Sequence, residues 1–262
     1  MSVRRKEAMM AESSNTAASV ERAEHNGESC WSCGDMRAVQ FCHACGKVQP
    51  PRPVDYFSFF GLPHKLGLNL EHLEKDFYEM SRKLHPDLYV HSQGREQQWS
   101  LEQSSRLNDA YRTLKDPIKR TEYLLRLEGV ELEEQSKTAT EAARASGEQK
   151  KQVVPPELLE EVFELNMQLE EARMNKKMGE HDAALGQELA VQKNKLEHQL
   201  EEFSRELQQD WQEWDALIER EVEGKAVPPE ARQHARDKMV DVLNRRNYVR
   251  NLVRTVEEVI GG

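Results

Sequence analysis

The sequence predicts an all-α protein. It reads as a helical hairpin followed by a C-terminal three-helix antiparallel bundle, with a small N-terminal zinc-knuckle unit. Three observations predict this. Apolar residues recur at helical spacing through 70–114 and again through 158–260. His85-Pro86-Asp87 falls where the first amphipathic stretch ends; a proline cannot continue a helix and biases the preceding residue away from helical angles. All four cysteines lie in two Cys-x-x-Cys pairs between residues 30 and 45.

Composition narrows the class. The chain has 262 residues, 37% hydrophobic and 32% charged, which suits helical units with wide solvated faces better than one large core. The net charge of -10 and the lack of an arginine-rich stripe argue against nucleic acid as a partner. No apolar run approaches the ~20 residues that span a bilayer, so no membrane partner is expected. With every cysteine inside 30–45, none is left for a disulfide framework elsewhere.

Residues 1–28 are small and polar and read as a disordered tail or targeting segment. Arg4, Arg5 and Lys6 are basic, but Glu7, Glu12, Glu21 and Glu24 blur a transit-peptide signal. Residues 29–48 form the cysteine unit, and Pro50, Pro51 and Pro53 a stiff spacer. Residues 55–129 read as one helical unit, opening on the aromatic anchors Tyr56, Phe57, Phe59 and Phe60. Asn69 caps a helix from Leu70 to Leu84, with Leu70, Leu73, Phe77, Met80 and Leu84 on one face. A loop from His85 to Arg95 follows, then a helix from Glu96 to Lys115 that buries Leu101, Leu107, Ala110, Tyr111 and Leu114. Asp116 caps a third helix, Pro117 takes its first position and Gly129 ends it. Residues 130–154 lose the apolar period and read as a polar linker.

Residues 155–260 return to helix. Pro155-Pro156 starts one that runs to Asn175. After Gly179 a very long helix reaches Val222, with Leu189, Leu196, Leu200, Phe203, Leu207 and Trp214 at near-heptad spacing. Gly224 stops it. Pro228-Pro229 begins the last helix, where Met239, Val242, Val249, Leu252, Val256 and Ile260 are spaced for burial.

Cys30, Cys33, Cys42 and Cys45 have the ligand spacing of a tetrahedral zinc site, two thiolates from each pair. Gly34 and Gly46 follow each pair and tolerate the positive φ that such knuckles need. Trp31 and Phe41 supply a minimal apolar cover, and His43 reads as a bystander. With no open coordination position, one zinc ion would be structural. An iron–sulfur site or a redox-active pair stays open, although the βαβ context of a thioredoxin-like motif is missing.

His85, Pro86 and Asp87 stand on the loop after the first long helix. As a catalytic pair, His85 and Asp87 lack a nucleophile motif and a glycine-rich phosphate loop, so no enzyme activity is expected. With Tyr56-Phe57 upstream and Leu107-Asn108-Asp109-Ala110-Tyr111 downstream, the arrangement resembles a J-domain. The resemblance implies a J-domain helical hairpin that docks on a DnaK-type chaperone and stimulates its ATP hydrolysis, with the loop as lever. It also implies a basic docking face, for which Lys75, Arg82 and Lys83 qualify. Glu71, Glu74, Asp76 and Glu79 share that helix and confine the basic patch to its last turns.

On a helical wheel, Leu158, Val162, Leu165 and Leu169 form a core stripe of the helix after Pro156. Leu159, Phe163 and Met167 form a second stripe, edged by Glu160, Glu164 and Glu171, and an apolar row rimmed by carboxylates suits a protein-binding surface. A J-domain followed by such a bundle resembles the HscB co-chaperones of iron–sulfur cluster biogenesis, and the tetracysteine unit is similar to that of animal mitochondrial members. The resemblance implies that the C-terminal bundle holds an IscU-type scaffold protein, with Leu159, Phe163, Glu164, Met167, Glu171 and Tyr248 in the contact patch. It further implies a mitochondrial matrix setting, with a cytosolic pool left open. The longer linker is expected to loosen the junction between the units, and the zinc unit to steady the N-terminal end or serve self-association. Two rival readings are a J-domain co-chaperone with another client, and a coiled-coil adaptor that oligomerises through Leu196, Phe203 and Leu207.

Overall fold

The structure, a computed structural model, describes residues 29–36, 39–92, 94–130, 158–179 and 182–261. The expected tail at 1–28, the linker beyond Val130 and the Pro155-Pro156 start lie outside the described residues. Among the described residues the secondary structure is helical, apart from one isolated antiparallel bridge between Phe41 and Val48. No helix there is long and apolar enough to cross a membrane.

Among the described residues, the N-terminal half holds the α-helices α1 (Tyr56–Phe59), α2 (Leu70–Leu84), α3 (Gly94–Lys115) and α4 (Pro117–Leu127). Their starts follow from local chemistry. The side chains of Asp55, Asn69 and Asp116 accept backbone N–H groups of the first turns of α1, α2 and α4, which have no partner inside the helix. Helices α2 and α3 pair, and Leu73, Leu84, Leu107, Ala110 and Leu114 close the interface. Two positions expected in the core are not there. Leu70 lies in the first turn of α2, before that helix meets α3, and Leu101 faces outward from α3; both are exposed.

The C-terminal half holds α5 (Leu159–Met178), α6 (Ala183–Val222) and α7 (Pro229–Ile260). Helix α5 runs three residues past the expected Asn175 and closes on Gly179, whose left-handed φ of 76° lets its N–H reach back to the last carbonyls. Helices α6 and α7 form the principal helix pair, a spine about 60 Å long for the 40 residues of α6. Each end of the spine packs a different partner. Helix α5 covers Leu185, Leu189, Leu196, Val249, Val253 and Val256. The N-terminal half covers Leu207, Trp211, Trp214, Ile218, Ala235, Met239, Val242 and Leu243. Ile260 ends the spine exposed, because α7 there extends past its neighbours' apolar faces.

The junction between the halves is a shared core, not a loose tether. Phe57, Leu66, Leu73, Leu114, Leu124 and Leu125 are buried together with the spine residues of that end. Trp214 donates its indole N–H to the His64 carbonyl at 2.8 Å, and Trp211 donates to the Thr121 hydroxyl at 2.9 Å. The Asp215 carboxylate accepts the N–H groups of Leu66 and Gly67, both at 2.7 Å. Arg232 forks onto Glu128 at 3.1 Å through two nitrogens while stacking over Trp214. The expected loosening by the linker is therefore corrected: packed side chains hold the junction, whatever the length of the chain that connects its sides. The same packing buries Leu207 and half-covers Phe203, so the near-heptad stripe closes an intramolecular core rather than offering an oligomerisation seam.

Candidate functional site

The His-Pro-Asp loop is built by groups that satisfy the end of α2. The last carbonyls of a helix have no partner inside it. Here the Leu84 carbonyl accepts the hydroxyls of Ser100 and Ser104 of α3, at 2.6 and 2.7 Å. The Lys83 carbonyl accepts the Tyr89 hydroxyl at 2.9 Å. His85 takes extended angles before the proline, and Pro86 opens a single 3-10 turn over Pro86–Tyr89, an ordered turn inside what the sequence gives as loop. The His85 Nδ1 accepts the Asp87 N–H at 3.3 Å. Asp87 projects outward with 83% of its side chain exposed, and His85 is exposed beside it. Lys75, Arg82 and Lys83 are exposed on α2, and the Lys83 ammonium lies 4.4 Å over the Phe41 ring.

That ring belongs to the tetracysteine unit. Each Cys-x-x-Cys pair turns tightly: the N–H of Gly34 reaches the Cys30 carbonyl and that of Gly46 the Cys42 carbonyl, with φ of 78° and 73°. The four sulfurs lie within 4.8 Å of one another, with Cys30–Cys45 at 3.7 Å and Cys33–Cys42 at 3.6 Å. The cysteines are free rather than disulfide-bonded. Four thiolates at ~2.3 Å from one tetrahedral ion have edges of roughly 3.8 Å, so the set fits a single zinc. Burial raises the Cys30 thiol pKa, but the N–H groups of Cys33 and Ser32 and the neighbouring sulfurs more than offset this and bring it to about 6. The Asp35 N–H pulls Cys33 down, and the sulfurs of Cys42 and Cys45 push it up further, to about 12. His43 packs against Phe41 at a tilt of 58°, 4.7 Å between ring centroids, outside the sulfur set.

Sequence reading alone misses where this unit sits. Phe41 and Val48 are buried in one cluster with Phe59, Leu84, Tyr89, Leu107 and Ala110, directly beneath the His-Pro-Asp turn. Polar groups fasten the seam. Gln40 donates to the Phe59 carbonyl at 2.6 Å, and Lys47 pairs at 2.8 Å with Glu96 of α3, a residue only 4% exposed. The Lys47 ammonium holds the Glu96 carboxyl below the usual range. Trp31, read as cover for the metal, is half exposed and packs edge-on against Trp99. The proline spacer is clamped too, since Arg106 of α3 donates to the carbonyls of Arg52 and Val54.

At the other end of the spine, α5 separates its two stripes. Leu158, Val162, Leu165 and Leu169 are buried. Leu159, Phe163 and Met167 are exposed by 53%, 69% and 60%, with Glu160, Glu164 and Glu171 exposed around them. Glu161 instead turns inward and ties α5 to α6 through Lys195 at 2.7 Å. Tyr248 does not complete the outer patch: it is 7% exposed and packs with Leu165, Val249 and Val253 in the core. An aromatic at a core position of α7 cannot reach past α5 to its outer face.

Residues 55–123 match the DnaJ domain family. The chain is 33% identical over 148 residues to a protein of Arabidopsis thaliana named iron-sulfur cluster co-chaperone protein HscB homolog, which covers 56% of this chain and 53% of the relative. It is 30% identical over 162 residues to the iron-sulfur cluster co-chaperone protein HscB of Mus musculus, covering 60% of this chain and 63% of the relative. The chain thus spans between half and two thirds of the length of these relatives. The crystal structure of human co-chaperone protein HscB superposes with a TM-score of 0.55 at 22% identity, covering 88% of this chain and 98% of that one. Residues 55–123 are thus similar to the DnaJ domain, on a chain whose fold is that of human HscB.

Proposed function

We propose that this chain is a co-chaperone of iron–sulfur cluster assembly and has no enzymatic chemistry of its own. Its DnaJ domain stimulates ATP hydrolysis by a DnaK-type chaperone, and its C-terminal bundle carries an IscU-type scaffold protein to that chaperone. The observation that carries the reading is a pairing on one chain whose halves share a core: an exposed His85-Pro86-Asp87 turn in the N-terminal half and an exposed Leu159-Phe163-Met167 row on α5. The names of the relatives, both called iron-sulfur cluster co-chaperones, support the client assignment.

Asp87 offers a solvated carboxylate to a basic group of the chaperone, and His85 offers an imidazole; Pro86 and the 3-10 turn fix both. Lys75, Arg82 and Lys83 supply the positive docking face. Leu159, Phe163 and Met167, with Glu164 and Glu171, grip the scaffold. Holding both partners on one body raises the scaffold's effective concentration at the chaperone. The shared core matters here because a stiff junction keeps that geometry fixed. Cys30, Cys33, Cys42 and Cys45 would hold one structural zinc, which would supply a cross-link and no reaction chemistry. The setting this role implies is the mitochondrial matrix.

The test is single-turnover ATP hydrolysis by a DnaK-type chaperone of iron–sulfur assembly. The chain accelerates it, and His85→Gln abolishes the acceleration while the helical circular dichroism stays unchanged. Equal acceleration by His85→Gln would overturn the proposal.

A further inference from the structure

We infer that Phe41 is a positioning residue for Lys83, and that the tetracysteine unit thereby sets how tightly the chain docks on its chaperone. The inference rests on the proposed function for its docking half. Lys83 lies two residues before His85, and it is held at both ends. Its carbonyl accepts the Tyr89 hydroxyl, and its ammonium sits 4.4 Å over the Phe41 ring. Lysine otherwise carries large rotamer freedom, so a fixed ammonium loses less on docking than a free one.

The ring is in turn fixed from two sides. Its neighbour Gln40 is tied to the Phe59 carbonyl at 2.6 Å, and its other neighbour, Cys42, is one of the four clustered thiols. The Cys42 N–H bonds the Lys47 carbonyl at 2.8 Å, and the Phe41–Val48 bridge completes the hairpin. Metal held by the four cysteines locks that hairpin, and with it the platform under Lys83. Losing the metal frees the hairpin, the ring and the ammonium in sequence. The turn that carries His85 and Asp87 keeps its own anchors, the Ser100 and Ser104 hydroxyls on the Leu84 carbonyl and the Asp87 N–H on the His85 Nδ1, so the lever itself stays in place. The consequence is a change in the concentration of chain needed for stimulation, not in the maximal rate reached.

The test uses the full zinc-loaded chain with Phe41→Leu, Phe41→Tyr and Lys83→Met, alone and combined. Two quantities are read: the NMR shift of the Lys83 ε-methylene, and the chain concentration giving half-maximal ATPase stimulation. In the unaltered chain and in Phe41→Tyr, the ε-methylene is moved upfield by the ring. It returns to the ordinary lysine position in Phe41→Leu and after zinc is chelated. Phe41→Leu raises the half-maximal concentration about two- to five-fold, the scale of a surface cation–π contact, leaves the maximum unchanged, and adds nothing in the Lys83→Met background. An ordinary Lys83 shift in the unaltered chain would overturn the inference. So would an equal effect of Phe41→Leu with and without Lys83, or a lowered maximum. Absence of stimulation by the unaltered chain would overturn the proposed function and the docking half with it, while the ε-methylene shift would still decide whether Phe41 holds Lys83.

Discussion

Phe163→Ala separates binding from folding. Phe163 is 69% exposed on α5, whereas Leu165, two residues on, is 4% exposed in the core. A phenylalanine presents roughly 200 Å² for burial, so about 140 Å² is left for a partner. At about 25 cal/mol per Å² that area is worth up to about 3.5 kcal/mol of scaffold affinity. Truncation then weakens binding by about 30-fold, the scale of a 2 kcal/mol anchor, and by no more than about 400-fold. The cost to folding is under about 1 kcal/mol, because little of the ring is packed in the free chain and alanine is the better helix former. Leu165→Ala has the opposite profile, about 2–5 kcal/mol of lost stability from a cavity between α5 and the spine. The assay is calorimetric titration of an IscU-type scaffold, alongside urea unfolding of each variant. Scaffold affinity unchanged within three-fold in Phe163→Ala would refute the reasoning, as would a stability loss equal to that of Leu165→Ala.

Three further outcomes are expected. Asp215→Ala leaves the N–H of buried Leu66 without its acceptor and gives that of exposed Gly67 over to water, lowering stability by about 1–2 kcal/mol in urea unfolding; no change would mean the carboxylate does not hold the junction. His64, 3.2 Å from Asp55, has its pKa raised above the ordinary 6.5, chiefly by that hydrogen bond. Its contribution is full below pH 6.5 and is lost as pH rises through the raised value. Burial alone would raise the Asp55 carboxyl, but bonds from His64 and Ser58 more than offset this and hold it well below 3.8, so its contribution is present above pH 3.8 and lost as pH falls toward the lowered value. His64→Gln should flatten the fall in urea midpoint above pH 6.5, and an unchanged slope would contradict the pairing. Metal analysis of chain purified under reducing conditions should give one zinc per chain, and Cys33→Ser should reduce it; an iron-only or metal-free protein would reject the site.

Much of the fold was legible because helical periodicity and caps are local. Asn69, Asp116 and Gly129 marked boundaries through chemistry confined to one turn. The two stripes of α5 were legible for the same reason, since one wheel separates Leu165 from Phe163. What local pattern does not carry is which face meets which neighbour. Leu70, Leu101 and Ile260 fit the apolar period, yet each lies where no facing helix covers it. Tyr248 fits an aromatic contact position but is enclosed between α5 and the spine. The seat of the cysteine unit was illegible, because Glu96 reads as one more surface carboxylate until Lys47, 49 residues away in sequence, is seen beside it. The serine hydroxyls that cap the Leu84 carbonyl come from the opposite helix and leave no trace in the spacing around His85.

The central claim is that one body couples a chaperone lever to a scaffold grip. Steady-state ATP hydrolysis by the DnaK-type chaperone, measured with chain alone, scaffold alone and both together, tests it most directly. The account predicts stimulation by both well above the product of the separate effects, abolished by His85→Gln and strongly weakened by Phe163→Ala. Stimulation no greater than that product, or indifferent to either substitution, would contradict it.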